Sequence, residues 1–272
     1  MGVELYISAL KNSKNLELTI NQFGDASLEC GWCSDEIQQG VNYMYNRLYI
    51  VESGTAELNT KTQSLTMRPG RFYLIPAGLH ARIKCTTDVT KLYFHFNLFQ
   101  FGRNDLFFGS DSVLEAKVSE QLIPQLRSYG KGGTVLDILT LKQSLYNLLA
   151  DIINQYNMSK QHITSYSPLI TNIIHYIQRN LSATLTLDGL AEQCCVSRSL
   201  LTRNFYKEVG TSIGKYIDDQ LLITAQWQLQ YTSMSINEIS QMLGYTDSCY
   251  FSRRFKQLCG ITPKKWRSDM GV

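Results

Sequence analysis

The sequence predicts an α+β protein of two domains. The first is a small β-barrel or jelly roll carrying helices, and the second is an all-α domain of two helix-turn-helix units joined by a linker helix. Three observations predict this. Residues 16 to 100 read as short strands separated by turn signals. From about Asp111 the apolar period changes to three and four residues. Beyond residue 166 each segment opens on a helix-capping residue, and one helix–turn–helix pattern occurs twice.

The expected divisions are a barrel over 1–105, a helical segment over 106–160 and the double helix-turn-helix domain over 161–272. A chain of 272 residues can bury two cores. Hydrophobic residues at 44% and charged residues at 18% are an ordinary globular balance, with no run near the ~20 apolar residues that a membrane span needs. Met1 to Leu10 carries Glu4 and no basic cluster, so no secretion leader is expected there. Seven irregularly spaced cysteines fit a reducing compartment, and the expected location is cytoplasmic.

In the first half, Tyr43-Met44-Tyr45-Asn46-Arg47-Leu48-Tyr49-Ile50-Val51 is aromatic and β-branched and ends at the Ser53-Gly54 turn. Arg68-Pro69-Gly70-Arg71 is a second turn before the apolar Phe72 to Ile75, and Pro76-Ala77-Gly78 follows. Lys91 to Asn97 alternates, with Leu92, Phe94 and Phe96 on one face and Lys91, Tyr93, His95 and Asn97 on the other. Gly130 to Gly133 reads as the loop opening a helix whose apolar positions are Val135, Ile138, Leu139, Leu145, Leu148, Leu149, Ile152 and Ile153. Ser159 to Ser167 is short, polar and without pattern, and is the expected linker.

In the second half, Pro168 suits a first helical position. Thr186, Ser197 and Ser212 are the expected caps of the next three helices. Ser235 with Glu238 has capping-box spacing, Asp247 or Thr246 caps a further helix, and Pro263 starts the last. Leu187 to Ser197 corresponds to Ile236 to Thr246, Leu201-Thr202-Arg203-Asn204-Phe205 to Phe251-Ser252-Arg253-Arg254-Phe255, and Gly210 to Gly260. Leu187, Leu190, Cys194, Leu201 and Phe205, with Ile236, Ile239, Leu243, Phe251 and Phe255, are spaced for a core.

A helix-turn-helix presents the start of its second helix to base edges in a major groove, so the implied partner is double-stranded DNA. The candidates on the first reading helix are Arg198, Ser199, Thr202 and Arg203. On the second they are Ser248, Cys249, Tyr250, Ser252, Arg253 and Arg254. Lys207, Lys256, Lys264, Lys265 and Arg267 are better placed for phosphates. From residue 166 onward 11 Lys and Arg face 8 Asp and Glu, whereas the rest of the chain balances. Within that part, 181–233 holds 4 basic and 5 acidic residues and 235–268 holds 6 and 2, so the second unit is expected to supply most of the backbone affinity. A helix from Ser212 to Tyr231 would span about 30 Å, close to the ~34 Å between successive major-groove faces.

The motif Ile236-x-x-Ile239, Gly244-Tyr245-Thr246-Asp247, Tyr250 to Lys256 and Gly260-Ile261-Thr262-Pro263 makes residues 168–268 resemble the DNA-binding domain of AraC/XylS-family transcription regulators. That resemblance implies two helix-turn-helix units joined by a helix, and an N-terminal domain that senses a small molecule or mediates dimerisation. Three departures stand out. Cys195 replaces the usual turn Gly, Leu221 stands where the linker helix usually has Arg, and Asp218 and Asp219 add negative charge nearby.

Gly54, Pro69-Gly70, Pro76 and His80 follow the rhythm of the family's cupin-like sensor domain. The expected effector is a sugar or small carboxylate, with Arg47, Tyr49, Arg82, Tyr93 and His95 lining its site. His80 and His95 are too few for a cupin metal centre, so neither metal, cofactor nor catalysis is expected. The helix around Leu139, Leu145, Leu149 and Ile152 has surplus apolar surface and is the expected homodimer contact. Alternatives are an N-terminal domain that only dimerises, or redox control through Cys30 and Cys33.

Overall fold

A computed structural model describes residues 16–36, 41–100, 105–158 and 166–270. The Met1 to Leu10 segment and residues 159–165 of the expected linker lie outside the described residues. The chain forms two compact units, one spanning Leu16–Leu98 and Asp105–Ile163, the other built mainly on Thr164–Val272.

In the first unit the alternating sequences become nine strands in two sheets. β1 (Leu16–Leu28), β8 (Val89–Gln100), β3 (Asn46–Ser53), β6 (Arg71–Ile75) and β9 (Leu114–Lys117) lie in that order in the larger sheet. β2 (Cys33–Asp35), β7 (Arg82–Cys85), β4 (Ala56–Asn59) and β5 (Ser64–Met67) form the smaller one. The register of β3 against β8 pairs Arg47 with His95, Tyr49 with Tyr93 and Val51 with Lys91. The two-residue period then sorts the larger sheet by face. Leu48, Ile50, Phe72, Leu74, Leu92, Phe94 and Phe96 are fully buried on one face, in the core that also takes the helices. Tyr49, Val51, Tyr73 and Ile75 point the other way and share a second core with Leu58, Ile83 and Cys85 of the smaller sheet.

α1 (Leu122–Gly132) and α2 (Val135–Gln155) cover the outer face of the larger sheet. Arg127 of α1 reaches both Asp25 of β1, at 2.8 Å, and Glu52 of β3, at 2.9 Å. Three expectations are corrected here. Leu114–Lys117 is a strand in the sheet, although the apolar period reads as helical from about Asp111. Gly130 and Gly132 belong to the last turn of α1, and of this glycine-rich stretch only Gly133 takes a left-handed φ, as that helix's C-cap. Leu145, Leu149 and Ile152, assigned by sequence to a dimer contact, are buried in the unit's own core. The surplus apolar surface sits one or two turns earlier, where Val135, Leu136, Ile138 and Leu139 are each more than half exposed.

Over the described residues 166–270 the second unit is built of helices. Its elements are α3 (Pro168–Arg179), α4 (Leu187–Gln193), α5 (Arg198–Val209), α6 (Ile213–Tyr231), α7 (Ile236–Met242), α8 (Ser248–Cys259) and α9 (Pro263–Met270). The expected caps are in place. Ser167, Thr186, Ser197, Ser212, Ser235 and Asp247 each accept from a backbone N–H in the first turn, and Ser235 and Glu238 close a capping box. α6 packs against α5, α7, α8 and α9, so both helix-turn-helix units are fixed to one rod. At 19 residues that rod is about 28 Å long. Phe205 of α5 meets Tyr216 of the rod edge-on, and Phe255 of α8 meets Trp266 of α9 in the same way.

Candidate nucleic-acid interface and barrel interior

The two helix-turn-helix units are built alike down to their turns. Cys195 donates its backbone N–H to Glu192 O and Val196 to Ala191 O; Gly244 donates to Gln241 O and Tyr245 to Ser240 O. This turn requires a left-handed residue. Gly244 supplies φ 74°, and a Cβ there would meet Ser182 Oγ at 2.0 Å. In the first unit Cys195 holds φ 52° with a side chain attached, a conformation that costs a non-glycine residue roughly 1–2 kcal/mol.

Behind each reading helix lies its core: Leu190, Leu201 and Phe205 in the first unit, Ile239, Leu243, Phe251 and Phe255 in the second. Turned away from that core, Arg198, Ser199 and Arg203 of α5 are exposed, with Thr202 half-buried and donating to Arg198 O at 2.9 Å. On α8, Cys249, Tyr250 and Arg253 are exposed, and Ser248 and Ser252 are half-buried. The start of each helix thus offers arginine, hydroxyl and, on α8, aromatic groups, the chemistry that reads base edges.

The cations divide by their partners. Arg198 pairs with Asp188 at 3.3 Å, Lys215 with Asp219 at 3.0 Å, and Arg254 with Asp218 and Gln257. Arg267, expected to face phosphates, donates instead to the carbonyl oxygens of Leu229 and Met234 and fastens the end of α6. Among the described residues Arg203 and Lys207 in the first unit make no ion pair. Neither do Arg253, Lys256, Lys264 and Lys265 in the second. Leu221, where the family usually has Arg, is buried in the rod's contact surface. Asp218 and Asp219, which the sequence marks as negative charge near the interface, are held in the ion pairs just named.

In the barrel unit Arg47, Tyr49, Tyr93 and His95 share the inner face of the larger sheet as paired neighbours, while Arg82 does not join them. Along β7, Ile83 and Cys85 enter the core, which turns Arg82 outward, half exposed, onto Asp35 at 3.4 Å. Arg47 is fully buried, pairs with Glu36, donates to Leu79 O at 2.6 Å and lies over the Tyr43 ring. Burial opposes its charge most strongly, but the Glu36 carboxylate together with the Tyr49 and Tyr43 hydroxyls outweighs it and holds the guanidinium above its ordinary range. Burial pushes the Tyr49 hydroxyl up to about 12. It also pushes His95 down to about 3, with Arg47 and Lys91 adding repulsion, so the imidazole is neutral at neutral pH. Two residues absent from the expected set complete this face: Glu36, and Lys91, whose ammonium lies 3.5 Å from the centroid of the Tyr49 ring. The signal for Lys91 was its place in the alternation with Tyr93 and His95; a lysine in a strand ordinarily reads as solvated surface.

Residues 190–269 match the helix-turn-helix domain family. Over nearly its whole length the chain is similar to the Msm operon regulatory protein of Streptococcus mutans, at 23% identity across 94% of both chains. It is 28% identical over 151 residues to the HTH-type transcriptional activator RhaR of Salmonella dublin, where the match spans 53% of that protein. The fold is similar to that of ToxT from Vibrio cholerae, with a TM-score of 0.59 and 12% identity over 92% of this chain and 99% of that one. ToxT has also been solved bound to an unsaturated fatty acid, and that structure matches with a TM-score of 0.57 over 92% of this chain and 95% of that one. No helix among the described residues is long and apolar enough to cross a membrane. The paired helix-turn-helix units on their shared rod, together with these likenesses, mark residues 190–269 as an AraC-type helix-turn-helix domain, and the chain as similar to DNA-binding transcription regulators that carry one.

Proposed function

We propose that this regulator grips one operator with both reading helices, under the control of a small molecule held in its barrel, and that it works as a cytoplasmic homodimer. The observation that carries the reading is the single rod, α6, to which both capped helices are packed. A rod about 28 Å long carrying both readers suits adjacent major-groove faces of one duplex, with Arg203 and Arg253 as matched contacts on the two reading helices. Arg198, Ser199, Thr202, Ser248, Cys249, Tyr250 and Ser252 extend the base-facing set. Lys207, Lys256, Lys264 and Lys265 take phosphates.

The distribution of ion pairs supports an unequal division of labour. The second unit has four cations without an acidic partner among the described residues and the first has two, so the second carries more of the backbone affinity. Gel shifts on a selected operator test this. Arg253→Ala is expected to weaken binding about tenfold or more and Arg203→Ala by less, and equal losses would contradict the division.

The barrel's inner face, with tyrosine rings, a histidine and charged groups converging between two sheets, supports the sensing role. ToxT, whose fold is similar, has been solved with an unsaturated fatty acid bound, which supports a small-molecule role for this architecture. Coupling between effector and operator would be about 1–3 kcal/mol. The exposed apolar start of α2 supports the dimer.

A further inference from the structure

The inner face of the larger sheet holds more positive charge than the barrel unit neutralises. Arg47 and Lys91 both enter it, and Glu36 is the acid paired there. Glu36 is itself fully engaged: one carboxylate oxygen takes the Arg47 guanidinium and the other accepts from the Ala81 N–H at 3.0 Å. Lys91 is only 7% exposed and forms no ion pair or hydrogen bond among the described residues. What faces its ammonium is the Tyr49 ring, with the Cys85 thiol nearby. A ring face is a poor substitute for the hydration that a buried ammonium gives up.

Two more polar atoms on this face are left in the same condition. His95 Nδ1 and Arg47 Nε are buried and have no hydrogen-bond partner. His95 stands directly across from Arg47, and Lys91 lies on the same side of β8 as His95. Unsatisfied buried polar atoms are rare in folded proteins, and a cluster carrying a net positive charge asks for a ligand that accepts hydrogen bonds and brings negative charge. A neutral sugar meets only the first demand.

We propose that the barrel's inner face between Lys91 and His95 binds a small organic oxyanion, a carboxylate or a phosphate ester, with the Lys91 ammonium as its counterion. The assignment rests on the reading that the barrel is the effector site, and it fixes that effector's charge. The Lys91 ammonium and one tautomer of the neutral His95 ring donate to the anionic oxygens, while Tyr49 and Tyr93 flank the remainder of the molecule.

The test uses the full chain and thermal unfolding at constant ionic strength, with benzoate, inorganic phosphate and glucose each compared with chloride. A rise of about 2–4 °C with benzoate or phosphate, absent with glucose and lost in Lys91→Met, is the expected result. The arm that responds names the source, carboxylate or phosphate. Lys91→Arg, which keeps the charge, should retain the response and serves as the readout if Lys91→Met fails to fold. An anion response that survives in Lys91→Met overturns the assignment, as does the absence of any anion response in the wild type. A glucose response equal in wild type and Lys91→Met would keep the barrel as a sensor and sink only the oxyanion. Loss of specific operator binding by the wild-type chain would instead undo the regulatory reading itself.

Discussion

Lys91 and His95 lie on one face of β8, and burial sets both against their charged forms. Lys91 is held at about 8 against an ordinary 10.5. A base depressed by folding contributes its stability above its unfolded value and loses it as pH falls through the folded one. The wild type therefore gives up as much as roughly 3 kcal/mol between pH 10.5 and pH 8. Lys91→Met is expected to unfold at a higher temperature than wild type at pH 7, with the gain shrinking to near zero at pH 10.5. A variant less stable than wild type at pH 7 would show that the lysine supports the fold. His95 follows the same sign in a lower window, from its ordinary 6.5 down to about 3. Asp105, raised by burial to about 6, runs oppositely: its contribution is full below its ordinary 3.8 and fades as pH climbs to 6. Replacing His95 with Gln should therefore flatten the stability loss from pH 6.5 to pH 4, as read by urea midpoints. A curve parallel to wild type would assign the acid sensitivity elsewhere. Lys91 shows what sequence conceals at this scale. Its alternation placed it on the right face, but only the packing of two sheets reveals that the face is closed to water.

The element scale was the most legible, because caps and turns are local chemistry. Every helix start in the second unit could be read from Ser, Thr, Asp or Pro at the right offset, since those side chains satisfy N–H groups within one turn. β9 was not legible. Leu-Glu-Ala-Lys carries no β-branched residue, and its pairing with β6 is a long-range contact. The helical turn through Gly130 and Gly132 was missed for the opposite reason: glycines that read as a loop are carried here by a helix packed on the sheet. Two predictions belong to this scale. Cys195→Gly should stabilise the chain by about 1 kcal/mol in urea unfolding, whereas Gly244→Ala should destabilise it by more, since its Cβ has no room beside Ser182. No difference between the two changes would mean that the turns are not equivalent. Light scattering of a Leu136→Lys, Leu139→Lys pair tests the dimer: a wild-type dimer reduced to monomer is expected, and a wild-type monomer at high concentration contradicts it.

At the scale of the molecule, the barrel unit runs on to Ile163, well past the change of hydrophobic period near Asp111, because α1 and α2 pack on the larger sheet. The function of each unit then follows from what it leaves unsatisfied. The helical unit leaves arginines and lysines outward on two parallel constructions, and the barrel unit leaves a cation inward. The assignment of a dimer contact failed in part because periodicity shows which residues are apolar along α2 but not how many of them the sheet already covers. The central claim is that one rod sets two reading helices into neighbouring grooves. Its most direct test is a base-resolution footprint of the wild-type chain on an operator selected from random duplexes. Two protected clusters on one face of the DNA, about 10 base pairs apart, are predicted. A single cluster, or protection without sequence preference, would contradict it.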